Sequence, residues 1–119
     1  MRERFLVLAF WAAAAFAFVM AVLPHPPQGP IEPSDKVKHI IAFLTLASLA
    51  AAAYPRSSLL RIWLFLALFG AVIEAVQAIP ALGRDSEIAD WGADCVAAMI
   101  PLVLVMVIRR RRATIARPG

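Results

Sequence analysis

Apolar residues run through this chain in four long blocks, at 5–23, 37–54, 62–79 and 91–108, with polar residues gathered between them. Each block is close to the roughly 20 residues a helix needs to cross the hydrocarbon of a bilayer. The blocks are continuous and rich in Ala and Leu, without the alternation of barrel strands, so helices are the spanning form they predict. The expected fold is all-α: an integral membrane four-helix bundle in a single domain over 1–119, with 109–119 as a basic tail.

The connections fit that pattern. The Pro-rich stretch 24–33 excludes helix and predicts an extended loop, with Ser34 or Asp35 as the N-cap of the second helix. Pro55-Arg56-Ser57-Ser58 is a short turn that sets the second and third spans antiparallel. Pro80 breaks the third helix, and Ser86 caps the fourth, with Asp90 near its start. The first block resembles a signal peptide in having Arg2 and Arg4 before it. It is longer than a typical h-region and carries Trp11, Phe16, Phe18 and Met20 near any cleavage point, so a retained helix is expected.

Composition supports a membrane location. Of 119 residues, 62% are hydrophobic and 17% charged, with a mean hydropathy of +0.78, more apolar surface than a water-soluble domain of this size can bury. The net charge of +4 does not point to nucleic acid, because the basic residues cluster at span ends and no aromatic interleaving accompanies them. Arg2, Arg4, Arg56, Arg61, Arg109–Arg112 and Arg117 fall on one side, and Lys36, Lys38 and Arg84 on the other, 9 against 3 of the 12 basic residues. The positive-inside bias then places both termini and the 55–61 turn in the cytoplasm, with Arg109–Arg112 as a stop-transfer anchor that meets anionic lipid. Cys95, the single cysteine, has no partner for a disulfide and reads as a small buried apolar residue.

Against this background Glu74 is the informative residue. It interrupts the third apolar block, with Gln77 at i+3. A carboxylate within a span costs about 2.5–3.5 kcal/mol on insertion scales, so its face is expected to look at protein and not at lipid. At about 1.5 Å per residue, Glu74 and Gln77 lie some 9 and 5 Å inward from Pro80, while His39 and Asp94 each lie one turn inside their helices, counted from Asp35 and Asp90. Three helices therefore present polar groups at one depth, with Arg84 and Asp85 in the loop above. Asp35 and His39 are spaced i, i+4, which sets a carboxylate beside the imidazole. Asp90 and Asp94 share that spacing; like charges there repel, so the pair calls for a shared proton or a facing cation such as Arg84, Lys36 or protonated His39. Gly70, Ala67 and Ala71 permit close helix approach. Interhelical hydrogen bonding that fixes packing explains any one of these residues, but packing does not require a His, several carboxylates and an Arg in one leaflet. His39, Glu74, Asp90 and Asp94 are acceptable metal-ligand types, yet no clustered ligand motif accompanies them, so no metal and no cofactor is expected. No Ser-centred nucleophile motif, Gly-rich phosphate loop or Cys pair is present, and no catalytic residue is assigned. His25, in the Pro-rich loop, reads as solvated.

In order and spacing, Asp35-Lys36-x-x-His39 followed by Ile41-Ala42-Phe43, then Gly70-x-x-x-Glu74-x-x-Gln77, Arg84, and Asp90-x-x-x-Asp94 resemble the VanZ-like membrane proteins of bacteria. The resemblance covers about residues 34–98. The chain departs from the pattern in having Asp94 where the family usually shows Asn and Ala97 where Gly is common, the first adding an acid to an acidic site. The resemblance implies a bacterial cytoplasmic (inner) membrane protein whose founding member is associated with teicoplanin resistance.

The leading expectation is an outward-facing polar pocket that binds an envelope lipid or a lipid-linked, cell-wall-related ligand. Its binding residues would be Asp35, Lys36, His39, Glu74, Gln77, Arg84, Asp90 and Asp94. Glu74 and Gln77 supply a buried acceptor and an orienting amide, and His39 a titratable donor steered by Asp35. Arg84 contacts an anionic group, and Asp90 and Asp94 pair with Arg84, Lys36 or a ligand amine. Two other classes compete: a membrane enzyme acting on a lipid-linked substrate with His39 and a carboxylate as acid and base, and a non-catalytic accessory subunit docking a second copy or another membrane protein. Transport is disfavoured, because alternating access in known transporters uses paired repeats and this chain has none.

Overall fold

The computed structural model describes residues 2–23, 35–80 and 88–116, apart from the side chain of Asp35. The Pro-rich stretch with His25, the cap Ser34, the 81–87 connection with Arg84, Asp85 and Ser86, and Arg117 lie outside these residues. Among the described residues four helices follow in order: α1 Arg2–Val22, α2 Asp35–Ala53, α3 Leu59–Gln77 and α4 Ile88–Ala116. All four are long and apolar enough to cross a membrane, as the sequence predicts. Each begins two or three residues earlier than its apolar block.

Local chemistry accounts for these ends. At α3 the extended Ser58 caps the helix, its hydroxyl accepting from the Arg61 backbone N–H at 3.1 Å. The turn's composition alone does not announce this cap, and it starts the helix at Leu59. At the other end the Ala78 N–H returns to the Glu74 carbonyl and the Ile79 N–H to Val76, just before Pro80. α4 does not stop with its apolar block. Arginine is a good helix former, and the helix continues through Arg109–Arg112 to Ala116, 29 residues in all. That is about 43 Å of helix against about 30 Å of hydrocarbon, so the last turns of α4 project beyond a bilayer.

α1 packs against α2 and α3, α4 packs against the same two, and α2 and α3 touch across the middle. The α2–α4 contact is the most extensive. Small residues are buried on both helices, Ala47 and Ala50 on α2 and Ala97 and Ala98 on α4, and small residues let neighbouring backbones approach. Phe43, Leu46, Leu66, Ile73 and Leu102 fill the remaining core, and Phe10 and Ala14 join it from α1. The outer surface is apolar as well: Phe5, Leu8, Phe16, Leu60, Leu68 and Leu104 are each more than 60% exposed. Such a surface is stable against lipid and not against water. Thr45 and Ser48, on α2, donate back to the Ile41 and Leu44 carbonyls, so hydroxyls within the span are satisfied by their own helix. The chain is a multi-pass, all-helical membrane protein.

Candidate functional site

The helix ends sort into two groups. Near one end of the bundle the Trp11 indole of α1 donates to the Tyr54 hydroxyl after α2, at 2.8 Å. At the opposite end lie the C-terminal turns of α1 and α3 and the N-terminal turns of α2 and α4, and there the polar side chains gather.

His39 of α2, Glu74 of α3 and Asp94 of α4 meet at this end. His39 Nδ1 lies 3.2 Å from Asp94 Oδ2 and 4.0 Å from Glu74 Oε1. One potential ligand atom from each residue falls within 4.8 Å of the others. All three are buried, His39 to 9% exposure, Glu74 to 8% and Asp94 to 0%. Oδ1 of Asp94 finds no hydrogen-bond donor among the described residues. With both carboxylates ionised and the imidazole protonated, the triad carries one net negative charge. An apolar floor lies beneath it. Gly70 is one turn below Glu74, and a Cβ there would stand 3.3 Å from Phe43 Cζ, 3.3 Å from Trp91 Cδ1 and 3.5 Å from Asp94 Oδ2. The small residue expected at this crossing is what lets α4 bring its carboxylate in.

One turn further out, Lys36 Nζ stands 3.8 Å from Asp90 Oδ1, the lysine side chain half exposed and the aspartate largely covered. Among the described residues Asp90 and Asp94 stand against separate cationic or titratable groups. Each faces a different group on α2, Lys36 and His39 respectively. The carboxylate set against the imidazole is Asp94, across 55 positions of sequence, whereas the side chain of Asp35 lies outside the described residues, as does Arg84. Gln77 is buried but turned elsewhere: its amide donates to the Ala21 carbonyl of α1 at 2.8 Å. Ala21 is in the last turn of its helix, where carbonyls lack intrahelical partners, so Gln77 fastens α3 to α1. Cys95 is partly buried, less enclosed than expected.

Two tryptophans contribute in a way the polar spacing does not reveal. Trp91 of α4 donates to the Ala67 carbonyl of α3 at 2.9 Å, and Trp63 of α3 donates to the Cys95 carbonyl of α4 at 3.0 Å. An indole N–H in a membrane span needs an acceptor that lipid cannot offer. That need is the signal the sequence carries for them.

No protein-family model matches the chain, and neither does any curated protein or solved structure.

Proposed function

We propose that this chain is a VanZ-like multi-pass protein of the bacterial cytoplasmic membrane, with both termini in the cytoplasm and the polar end of the bundle facing outward. There it binds an envelope lipid or a cell-wall-related, lipid-linked ligand, the role through which a link to glycopeptide resistance would arise. The convergence of His39, Glu74 and Asp94 from three helices supports this reading, because buried ionisable groups in spans cost free energy and mark functional sites. The Lys36–Asp90 pair at the rim offers an ammonium to an anionic head group, and Arg84 offers a second cation from the 81–87 connection. The distribution of basic residues supports the orientation.

Native mass spectrometry of the full chain, extracted with its lipids, tests the reading. The wild type is expected to retain a phosphate-bearing envelope lipid, and Glu74→Ala and Arg84→Ala to lose it at normal membrane abundance. Equal lipid retention by all three proteins would overturn the proposal. A second reading is favoured by one contact, the 3.2 Å approach of His39 to Asp94, which is the geometry of an acid–base pair. In that case the same site turns over a lipid-linked substrate. Product formed by purified protein on envelope lipids, and abolished by His39→Ala, would establish it, while no product across a panel would dismiss it.

A further inference from the structure

We propose that His39, Glu74 and Asp94 form a binding site for one divalent transition-metal ion, with Zn2+ the best fit and Mn2+ next. One imidazole and two carboxylates are borderline-to-hard donors that suit these ions. From sequence, four ligand types without a motif carry no such conclusion. The fold selects three of them and removes Asp90, which is engaged by Lys36 at 3.8 Å.

The dimensions agree with a site that closes on its ion. Donor atoms bound tetrahedrally to zinc at about 2.1 Å stand about 3.4 Å apart. Those of His39, Glu74 and Asp94 lie within 4.8 Å, so closure brings any two of them no more than about 1.4 Å closer together. His39 Nδ1 already stands between the two carboxylates, 3.2 Å from one and 4.0 Å from the other.

A second observation comes from Asp94. It is fully enclosed, and one of its oxygens finds no donor among the described residues. A buried carboxylate oxygen in a low-dielectric setting is costly unless a cation or donor answers it. A dication at the centre of the triad does so and offsets the clustered negative charge. Three protein ligands leave a fourth tetrahedral position open to water or to an oxygen of a bound ligand. Ion binding is measured with no lipid ligand added, so the metal site stands or falls apart from the lipid reading.

The full chain in detergent micelles, stripped with chelator, is titrated with ZnCl2 by calorimetry and then loaded with Co2+ for visible spectroscopy. The wild type is expected to bind one Zn2+ per chain. The isosteric variants Asp94→Asn and Glu74→Gln, and also His39→Gln, should each bind at least about tenfold more weakly. Asp90→Asn and Cys95→Ser should stay within about threefold of the wild type. The Co2+ protein should show a tetrahedral d–d spectrum with nitrogen and oxygen donors, a signature that does not require any variant to fold. Failure of the wild type to saturate, or Zn2+ binding that survives Asp94→Asn in folded protein, would overturn the site and leave an adventitious ion only. A thiolate charge-transfer band would move the ion to Cys95 and overturn it too. Zn2+ binding that appears only in Arg84→Gln would give the cation's place to the guanidinium and would likewise remove the metal from the native site.

Discussion

Replacing His39 and Asp94 by leucine, singly and together, isolates the free energy of the most deeply buried polar contact in the bundle. At their separation of 3.2 Å, two unit charges attract by about 5 kcal/mol at an effective dielectric near 20 and about 1 kcal/mol in water. Desolvation of the two groups offsets most of the larger figure. His39→Leu leaves Asp94 and Glu74 buried together with no imidazole between them, and removal of one member of a buried pair costs about 3 kcal/mol at the low end. Asp94→Leu is milder, about 1–2 kcal/mol, because Glu74 stands 4.0 Å from the imidazole and substitutes as its partner. The double variant removes both members and should cost about 3 kcal/mol, which leaves a coupling of about 1–2 kcal/mol. That exceeds the roughly 0.6 kcal/mol average for interhelical hydrogen bonds in membranes. Reversible SDS-driven unfolding in mixed micelles, with chelator present, measures all four proteins. A coupling below about 0.3 kcal/mol, or His39→Leu no more damaging than Asp94→Leu, would contradict this account of the pair.

Further outcomes follow from other contacts. Gln77→Leu should cost about 1 kcal/mol in the same assay by stranding the Ala21 carbonyl, and wild-type stability would show that this tie contributes nothing. Gly70→Val should destabilise by about 1–3 kcal/mol through overpacking, because Phe43 and Trp91 already stand 3.3 Å from a Cβ at that position; an unchanged unfolding midpoint would mean the crossing is looser than it looks. Single cysteines at Lys36 and at Arg112, in a Cys95→Ser background, report orientation: an impermeant thiol reagent added to intact cells should label the first and not the second, and the reverse pattern would invert the proposed topology.

The spans were legible because unbroken apolar length is a direct measure of membrane thickness. The depth of the cluster was legible as well, since counting from helix ends fixes height along the axis. Facing was harder. The i, i+3 spacing of Glu74 and Gln77 separates them by about 60° around the helix, enough to send one amide to α1 and the carboxylate toward α2 and α4. That Asp94 stands beside His39 is a tertiary matter. It depends on how closely α2 and α4 approach, and no local spacing encodes it. Hydropathy marks the edge of lipid and so points to the last apolar residue as the end of α4, whereas the helix follows backbone propensity into the arginines.

The polar triad is held in register by groups that are not part of it. Glu74 and Asp94 come from α3 and α4, and these helices are joined by two reciprocal indole bonds, Trp91 to the Ala67 carbonyl and Trp63 to the Cys95 carbonyl. Each bond runs to the backbone, so it fixes the axial offset of one helix against the other. Sliding by one residue, about 1.5 Å, would break both bonds and carry Asp94 away from the imidazole. The acceptor carbonyls lie within helices, so losing the indoles strands no carbonyl of a helix end, and Trp63→Phe with Trp91→Phe should cost only about 1–2 kcal/mol together. The larger consequence is geometric. Spin labels at Leu68→Cys and Val96→Cys, both lipid-exposed positions, in a Cys95→Ser background, should give a narrow interhelical distance distribution that broadens in the double tryptophan variant. An equally narrow distribution would show that the rest of the helix packing sets the register without the indoles.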